Sequence, residues 1–182
     1  MPQYVAFLRA INVSNRRIKM DRLREAFTTL GFANVSTFIA SGNVLFESPE
    51  LNAAEAEARI EAHLPTALGF PSETFLRSSA EIAELLALRP FPAEDVDTPG
   101  HRWHVSFLRS APGEEVARKV LDFRTERDEF HVQGRELHWL SRGPISDTKV
   151  SWTRLGKLLA MPYTDRNIGM LRQIGSKLKP LD

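Results

Sequence analysis

QYVAFLRAINVSNRRIKMDRLREAFTTLGFANVSTFIASGNVLFES, residues 3–48, reads as strand, helix and hairpin in that order. Residues 3–9 alternate as a strand does. Met20, Leu23, Phe27 and Leu30 recur at helical spacing, and Gly31 is a natural C-terminal stop. The run from Ala33 to Ser48 splits into two short strands about Ser41, Gly42 and Asn43, residue types that permit the positive-φ turn of a hairpin. Ala53, Ala56, Ile60 and Leu64 then share one helical face, and Pro65 is expected to bend or end that helix. ETFLR (73–77) is a further strand, and Ser78 with Glu81 has capping-box spacing at the start of another helix. The order β-α-β-β-α-β with a trailing helix is the split βαβ, ferredoxin-like unit. Its sheet is antiparallel, with helices packed on one face.

The second half repeats the pattern. HRWHVSFLRS (101–110) is a strand, PGEEVARKVLDF (112–123) a helix with Pro112 in its first turn, and EFHVQGRELHWL (129–140) a hairpin turning at Gln133-Gly134. A helix with Trp152, Leu155, Leu158 and Leu159 on one side stops at Pro162. YTDRN (163–167) reads as a vestigial last strand before a terminal helix from about Asn167 to Lys179. FLR occurs at 7–9, 75–77 and 107–109, and an offset of 100 superimposes Val5, Phe7, Leu8 and Arg9 on Val105, Phe107, Leu108 and Arg109. The expected fold is therefore α+β: two ferredoxin-like subdomains from an internal duplication, residues 1–89 and 101–182, joined by a Pro-rich, acidic linker at 90–100. In this scheme the FLR at 75–77 matches the others by coincidence. Phe7 and Phe107 are core residues, and a sheet face bearing Tyr4, Leu8 and Leu108 is left open, to be covered by the other subdomain or by a second protomer.

Composition narrows the function. With 182 residues and 42% hydrophobic side chains the chain can build a real core, and the absence of cysteine excludes disulfides, thiol catalysis and thiolate zinc sites. The N-terminus lacks a signal-peptide pattern and no apolar run is long enough to span a membrane, so a soluble cytoplasmic protein is expected. A net charge of +1 conceals two basic ends and an acidic middle. Residues 1–24 carry six basic side chains against one acidic, residues 47–97 three against eleven, and residues 142–182 eight against three.

Topology converts the first basic run into a candidate site. In a split βαβ unit the end of strand one, the following loop, the start of helix one and the turn between strands two and three share one edge. That edge gathers Arg9, Asn12, Ser14, Asn15, Arg16, Arg17, Lys19, Ser41 and Asn43. Guanidinium, amide and ammonium donors suit an anionic group such as phosphate, although Asn12, Ser41 and Asn43 are also ordinary turn residues. A second basic set, Arg142, Ser146, Lys149, Arg166 and Asn167, is weakened by Asp147, which is placed to cap the following helix and to repel an anion. His104, His131 and His138 alternate with bulky neighbours and so are expected together on the face away from the helices, with His131 opposite Glu136. These are zinc-type donors, but histidines on a half-wet sheet are commoner as plain surface residues; no metal and no cofactor is expected. No GxGxxG, P-loop, GxSxG or HExxH occurs, and aromatics do not interleave with basic residues as in a single-strand platform.

Ile11, Asn12, Val13, Met20, Leu23, Arg24, Gly31, Phe32, Ser41, Gly42, Asn43 and Val44 resemble the signature of the largely bacterial family catalogued as domain of unknown function 1697. The resemblance continues through Arg77-Ser78, Pro90-Phe91 and Thr164-Asp165-Arg166-Asn167. Ala10 and Ser14 depart from the family's usual glycines, and Met170 and Gln173 from its threonine and lysine. The resemblance implies two ferredoxin-like subdomains and no established activity. The sequence thus points first to a binding module for an anionic ligand, nucleic acid or a phosphorylated small molecule, with Arg9, Asn12, Arg16, Arg17, Lys19, Ser41, Asn43, Arg166 and Asn167 as contacts. The alternatives are an enzyme with its site between the subdomains, and a structural protein that merely dimerises; no membrane partner is expected.

Overall fold

The computed structural model describes residues 1–13, 16–39 and 42–178. The chain divides into two compact units, Met1–Leu86 with the residues from Gln173 onward, and Ala87–Arg172. The first part of the chain forms β1 (Gln3–Leu8), α1 (Met20–Thr29), β2 (Ala33–Thr37), β3 (Asn43–Glu47), α2 (Ala53–Leu68), β4 (Thr74–Ser78) and α3 (Ser79–Ala87). The second part forms α4 (Ala93–Asp97), β5 (Arg102–Leu108), α5 (Glu114–Val120), β6 (Asp128–Gln133), β7 (Glu136–Ser141), α6 (Trp152–Leu159), β8 (Tyr163–Asn167) and α7 (Ile168–Gly175). Two four-stranded antiparallel sheets result, ordered β2-β3-β1-β4 and β6-β7-β5-β8. This is the ferredoxin-like order, twice. YTDRN is a full fourth strand, paired with β5 from His104 to Leu108.

The registers superimpose as well as the orders. Tyr4 pairs with Phe46 and Ser78, and His104 pairs with Trp139 and Asn167. Val5 faces Arg77 and Val105 faces Arg166, so the arginine of the 75–77 FLR is the counterpart of Arg166. Both side chains are buried. The fourth-strand exits match too: the Ser78 hydroxyl accepts the Glu81 N–H at the start of α3, and Asn167 Oδ1 accepts the Met170 N–H at the start of α7.

Which side chains face the helices differs from the alternation argument. Tyr4, Ala6 and Leu8 pack with Leu23 and Phe27 of α1 and Ile60 and Leu64 of α2, while Leu108 packs with Val120, Leu155 and Leu159. Val5, Phe7, Val105 and Phe107 therefore occupy the other face, and they too are fully buried. A central strand buried on both faces carries large apolar residues on both, so size does not reveal which face meets the helices. The hairpin turns at Gly134-Arg135, because Gln133 pairs with Glu136, and His131 therefore faces His138 rather than Glu136. His104 lies on the helix side with Trp139, apart from the other two histidines.

Two prolines also behave differently from expectation. Pro65 lies inside α2, which continues to Leu68 and closes on Gly69 at φ 89°. Near a helix end Pro costs one hydrogen bond, and the remaining turn still forms. Pro112 precedes the first turn of α5, whose N-cap is Gly113. The Pro-rich stretch after the first unit contains α4, and Asp95 on α4 is ion-paired with Arg142 at 2.6 Å.

The outer edge of β4 is sealed by carboxylates. Glu61 Oε1 accepts the Thr74 N–H and Glu57 Oε1 the Leu76 N–H, both at 2.7 Å, and Glu81 Oε2 accepts the Ser78 N–H at 2.8 Å. Glu57 is 2% exposed, so its removal strands a buried amide. Glu57→Ala is expected to lower unfolding free energy by about 1–3 kcal/mol in urea titration, and Glu61→Ala, at a more open position, by less. Equal small effects would mean that the edge is not held this way.

Candidate functional site

The β1–α1 loop and the β2–β3 turn do share one end of the first sheet. The Leu8 N–H donates to the Gly42 carbonyl at 2.8 Å, and Gly42, at φ 77°, packs so tightly on Ile11 that a Cβ there would lie 2.8 Å from Ile11 Cγ1. Asn12 adopts φ 55° and shapes the loop: its Oδ1 accepts the Ile18 N–H at 2.8 Å and its N–H donates to the Arg16 carbonyl. Asn43 is fully buried and its Nδ2 donates to the Phe38 carbonyl at 3.0 Å. Both asparagines thus use these groups to build turns. Ser14, Asn15 and Ser41 lie outside the described residues.

The cations of this end divide into tethered and open ones. Arg9 pairs with Glu73 at 3.2 Å, with side chains 47% and 40% exposed, a geometry of small energetic weight in water. Arg16 lies over the Phe70 ring at 5.4 Å and donates to the Pro71 carbonyl at 3.4 Å, beside a cavity lined by Arg16, Glu61, Pro71, Ser72 and Glu73. Arg17 and Lys19 are exposed, and their side chains have no partner among the described residues. Lys19 precedes the first turn of α1.

The second basic set is dispersed. Arg142 bonds Asp95 and Glu129, which holds its guanidinium more firmly protonated than usual, and the Arg142 hydrogen bond lowers the Asp95 carboxyl. Arg166 is buried, donates to Thr164 Oγ1 and the Asp165 carbonyl, and is lowered to about 10 by desolvation. Asp147 pairs with Arg127 at 3.2 Å, while Ser151 caps α6. Ser146 donates to Asp147, and Lys149 lines a separate cavity with Thr125, Glu126, Arg127, Asp128 and Asp147. Asn167 is exposed at the end of β8.

The histidines fall into two environments. His138 is 1% exposed, its Nδ1 accepts the Trp103 indole N–H at 3.2 Å, and the His131 ring stands 6.0 Å away. Burial, reinforced by His131, pushes the His138 imidazole down to about 3. Among the described residues no group of three His, Cys, Asp or Glu is placed to hold a metal ion. His104 meets a carboxylate that spacing did not reveal. Its Nδ1 lies 2.5 Å from Asp165 Oδ2, and the Ser106 hydroxyl donates to Asp165 Oδ1 at 3.3 Å. These residues are 59 and 61 positions apart, and only the pairing of β5 with β8 could have joined them.

Neutral His138 gives stability a definite pH dependence. The unfolded chain takes up a proton near 6.5 that the folded chain refuses until about 3, so this contribution is complete above 6.5 and is lost as pH falls towards 3. Urea midpoints measured across that interval should fall less steeply in His138→Phe than in the wild type. Parallel declines would place the proton uptake elsewhere.

Residues 1–138 match the family described as "Protein of unknown function (DUF1697)". No match is found among curated proteins. Among solved structures the chain is similar to the conserved bacterial protein SP0830 from Streptococcus pneumoniae, at 24% identity, a TM-score of 0.75, and coverage of 98% of this chain and 99% of that one. At that identity the likeness speaks to the fold alone. No helix among the described residues is long and apolar enough to cross a membrane. With the match running from the first strand to the seventh, this chain belongs to the DUF1697 family.

Proposed function

We propose that the protein binds an anionic ligand, nucleic acid or a phosphorylated small molecule, at the loop end of the first sheet. The observation that carries this reading is the run from Arg16 to Lys19, held against Asn12. Asn12 fixes it from inside by its two hydrogen bonds, and Arg16, Arg17 and Lys19 are left exposed with no carboxylate partner among the described residues. Three such cations can meet phosphate oxygens without first breaking internal ion pairs. Arg9 plays a lesser part, since Glu73 already engages it. Glu61 and Glu73, beside Arg16, favour a ligand that approaches from the Arg17 and Lys19 side.

All three tryptophans, Trp103, Trp139 and Trp152, lie in the second unit, so binding at this loop is best followed by anisotropy of a labelled single-stranded oligonucleotide or nucleotide. For three contacts on a single strand, log K should fall against log salt with a slope of about −2, and an Arg16→Ala/Arg17→Ala/Lys19→Ala variant should lose both the affinity and the slope. Binding unchanged in that variant would remove this reading.

A further inference from the structure

The duplication supplies an internal control for the second unit. By strand register, Tyr4, Ala6, Phe46, Leu76 and Ser78 of the first sheet correspond to His104, Ser106, Trp139, Asp165 and Asn167 of the second. Tyr4, Ala6, Phe46 and Leu76 are all buried in one apolar cluster beneath α1 and α2. The Tyr4 ring stacks on Phe46 at 5.7 Å, and the His104 ring takes the same place against Trp139 at 5.5 Å. One frame is therefore filled in two ways: in the first unit by apolar side chains and the Tyr4 ring, whose hydroxyl accepts the Leu51 N–H, and in the second by an imidazole, a carboxylate and a hydroxyl.

The covering helices differ accordingly. α2 has sixteen residues and lays Glu57 and Glu61 along β4, whereas α6 has eight, WTRLGKLL, with no acidic residue to do the same for β8. The side chain of Asp165 is 43% exposed and that of His104 16%. An ionised carboxylate only accepts, so its bond to His104 places the imidazole proton on Nδ1 and leaves the basic lone pair on Nε2. Apart from its contact with the Trp139 ring, the His104 imidazole has no other side-chain partner among the described residues. Ser106 spends its hydroxyl proton on Asp165, which leaves it an orienting donor rather than a nucleophile aimed at the ring.

We propose that this dyad is a hydrolytic site in which His104 is the general base and catalytic residue, Asp165 is its positioning residue, and the substrate is a neutral ester with an aromatic or apolar group. The charge of Asp165 disfavours a phosphate at the same place, and Trp152, partly exposed and edge-on to the buried Trp139 ring at 4.5 Å, is the aromatic group that borders it. His104 Nε2 takes one proton from a water molecule as the water oxygen bonds to the acyl carbon. The adduct then collapses, the acyl carbon–oxygen bond breaks, and Nε2 returns the proton to the departing alkoxide, giving a carboxylic acid and an alcohol. Asn167 pairs with His104 across the strands. Its Oδ1 serves the α7 cap, and its amide nitrogen, not engaged in that bond, is the group placed to donate to the developing oxyanion.

The probe is p-nitrophenyl acetate with the full chain, and the His104→Gln variant measures the background from the other four histidines. Removal of a general base should lower turnover about 10²-fold or more, Asp165→Ala should lower it substantially, and Ser106→Ala should retain most of it. Asp165→Ala, at a half-exposed position, keeps the test available if His104→Gln does not fold. Proton NMR should show a downfield imidazole N–H in the wild type that disappears in Asp165→Ala, a signature that a purely structural carboxylate elsewhere would not move. Wild-type turnover equal to that of His104→Gln overturns the proposal. Abolition by Ser106→Ala also overturns it, because serine rather than water would then be the nucleophile.

Discussion

The outward N–H row of a sheet's last strand needs acceptors, and the whole first unit is arranged around meeting that need. β4 is an edge strand, and its Thr74, Leu76 and Ser78 amides are taken by Glu61, Glu57 and Glu81. Glu57 and Glu61 are one helical turn apart, so a single face of α2 serves two alternate strand amides. A carboxylate as buried as Glu57 is tolerable only with such a donor. The same bonds dock α2 along the strand, and its apolar side then buries Tyr4, Ala6 and Leu76 in one cluster. The sealed edge also gives no template for an added strand.

The second sheet keeps the order and the registers but not this seal. Its shorter α6 carries Leu155 and Leu159 into the core and Trp152 against Trp139, and it contributes no carboxylate to β8. His104, Ser106 and Asp165 now stand where the first unit has Tyr4, Ala6 and Leu76, and they satisfy one another. A frame that departs from its own apolar pattern at one cluster is the place to look for function.

The fold was open to reading because its signals are local. Helical spacing in residues 20–30, the capping box of Ser78 and Glu81, and the repeated first strand each report on a few neighbouring residues, and the observed elements and bonds agree with them. Facing and pairing are not local. Trp103, Val105 and Phe107 are the apolar set and His104 and Ser106 the polar one, yet the polar set meets the helices because both faces of β5 are buried. Moving the hairpin turn by one residue places His131 opposite His138. YTDRN reads as a vestigial strand, but its register against β5 is not local information, and that register is what joins Asp165 to His104. Asn12 and Asn43 showed the converse difficulty, since the donors that suit a ligand also suit a turn, and here those groups serve the turn.

The central claim is that the two units are one frame with interchangeable contents at the β5–β8 positions. Giving the second unit the residues of the first, His104→Tyr with Ser106→Ala and Asp165→Leu, tests it most directly by urea unfolding. If the frames are equivalent, the triple variant folds with near-UV circular dichroism like the wild type and a midpoint no lower than the wild type's, because an apolar cluster replaces a polar one of the same register. A variant that fails to fold, or unfolds at markedly lower urea, would contradict the account by making the polar cluster part of what holds the second sheet together.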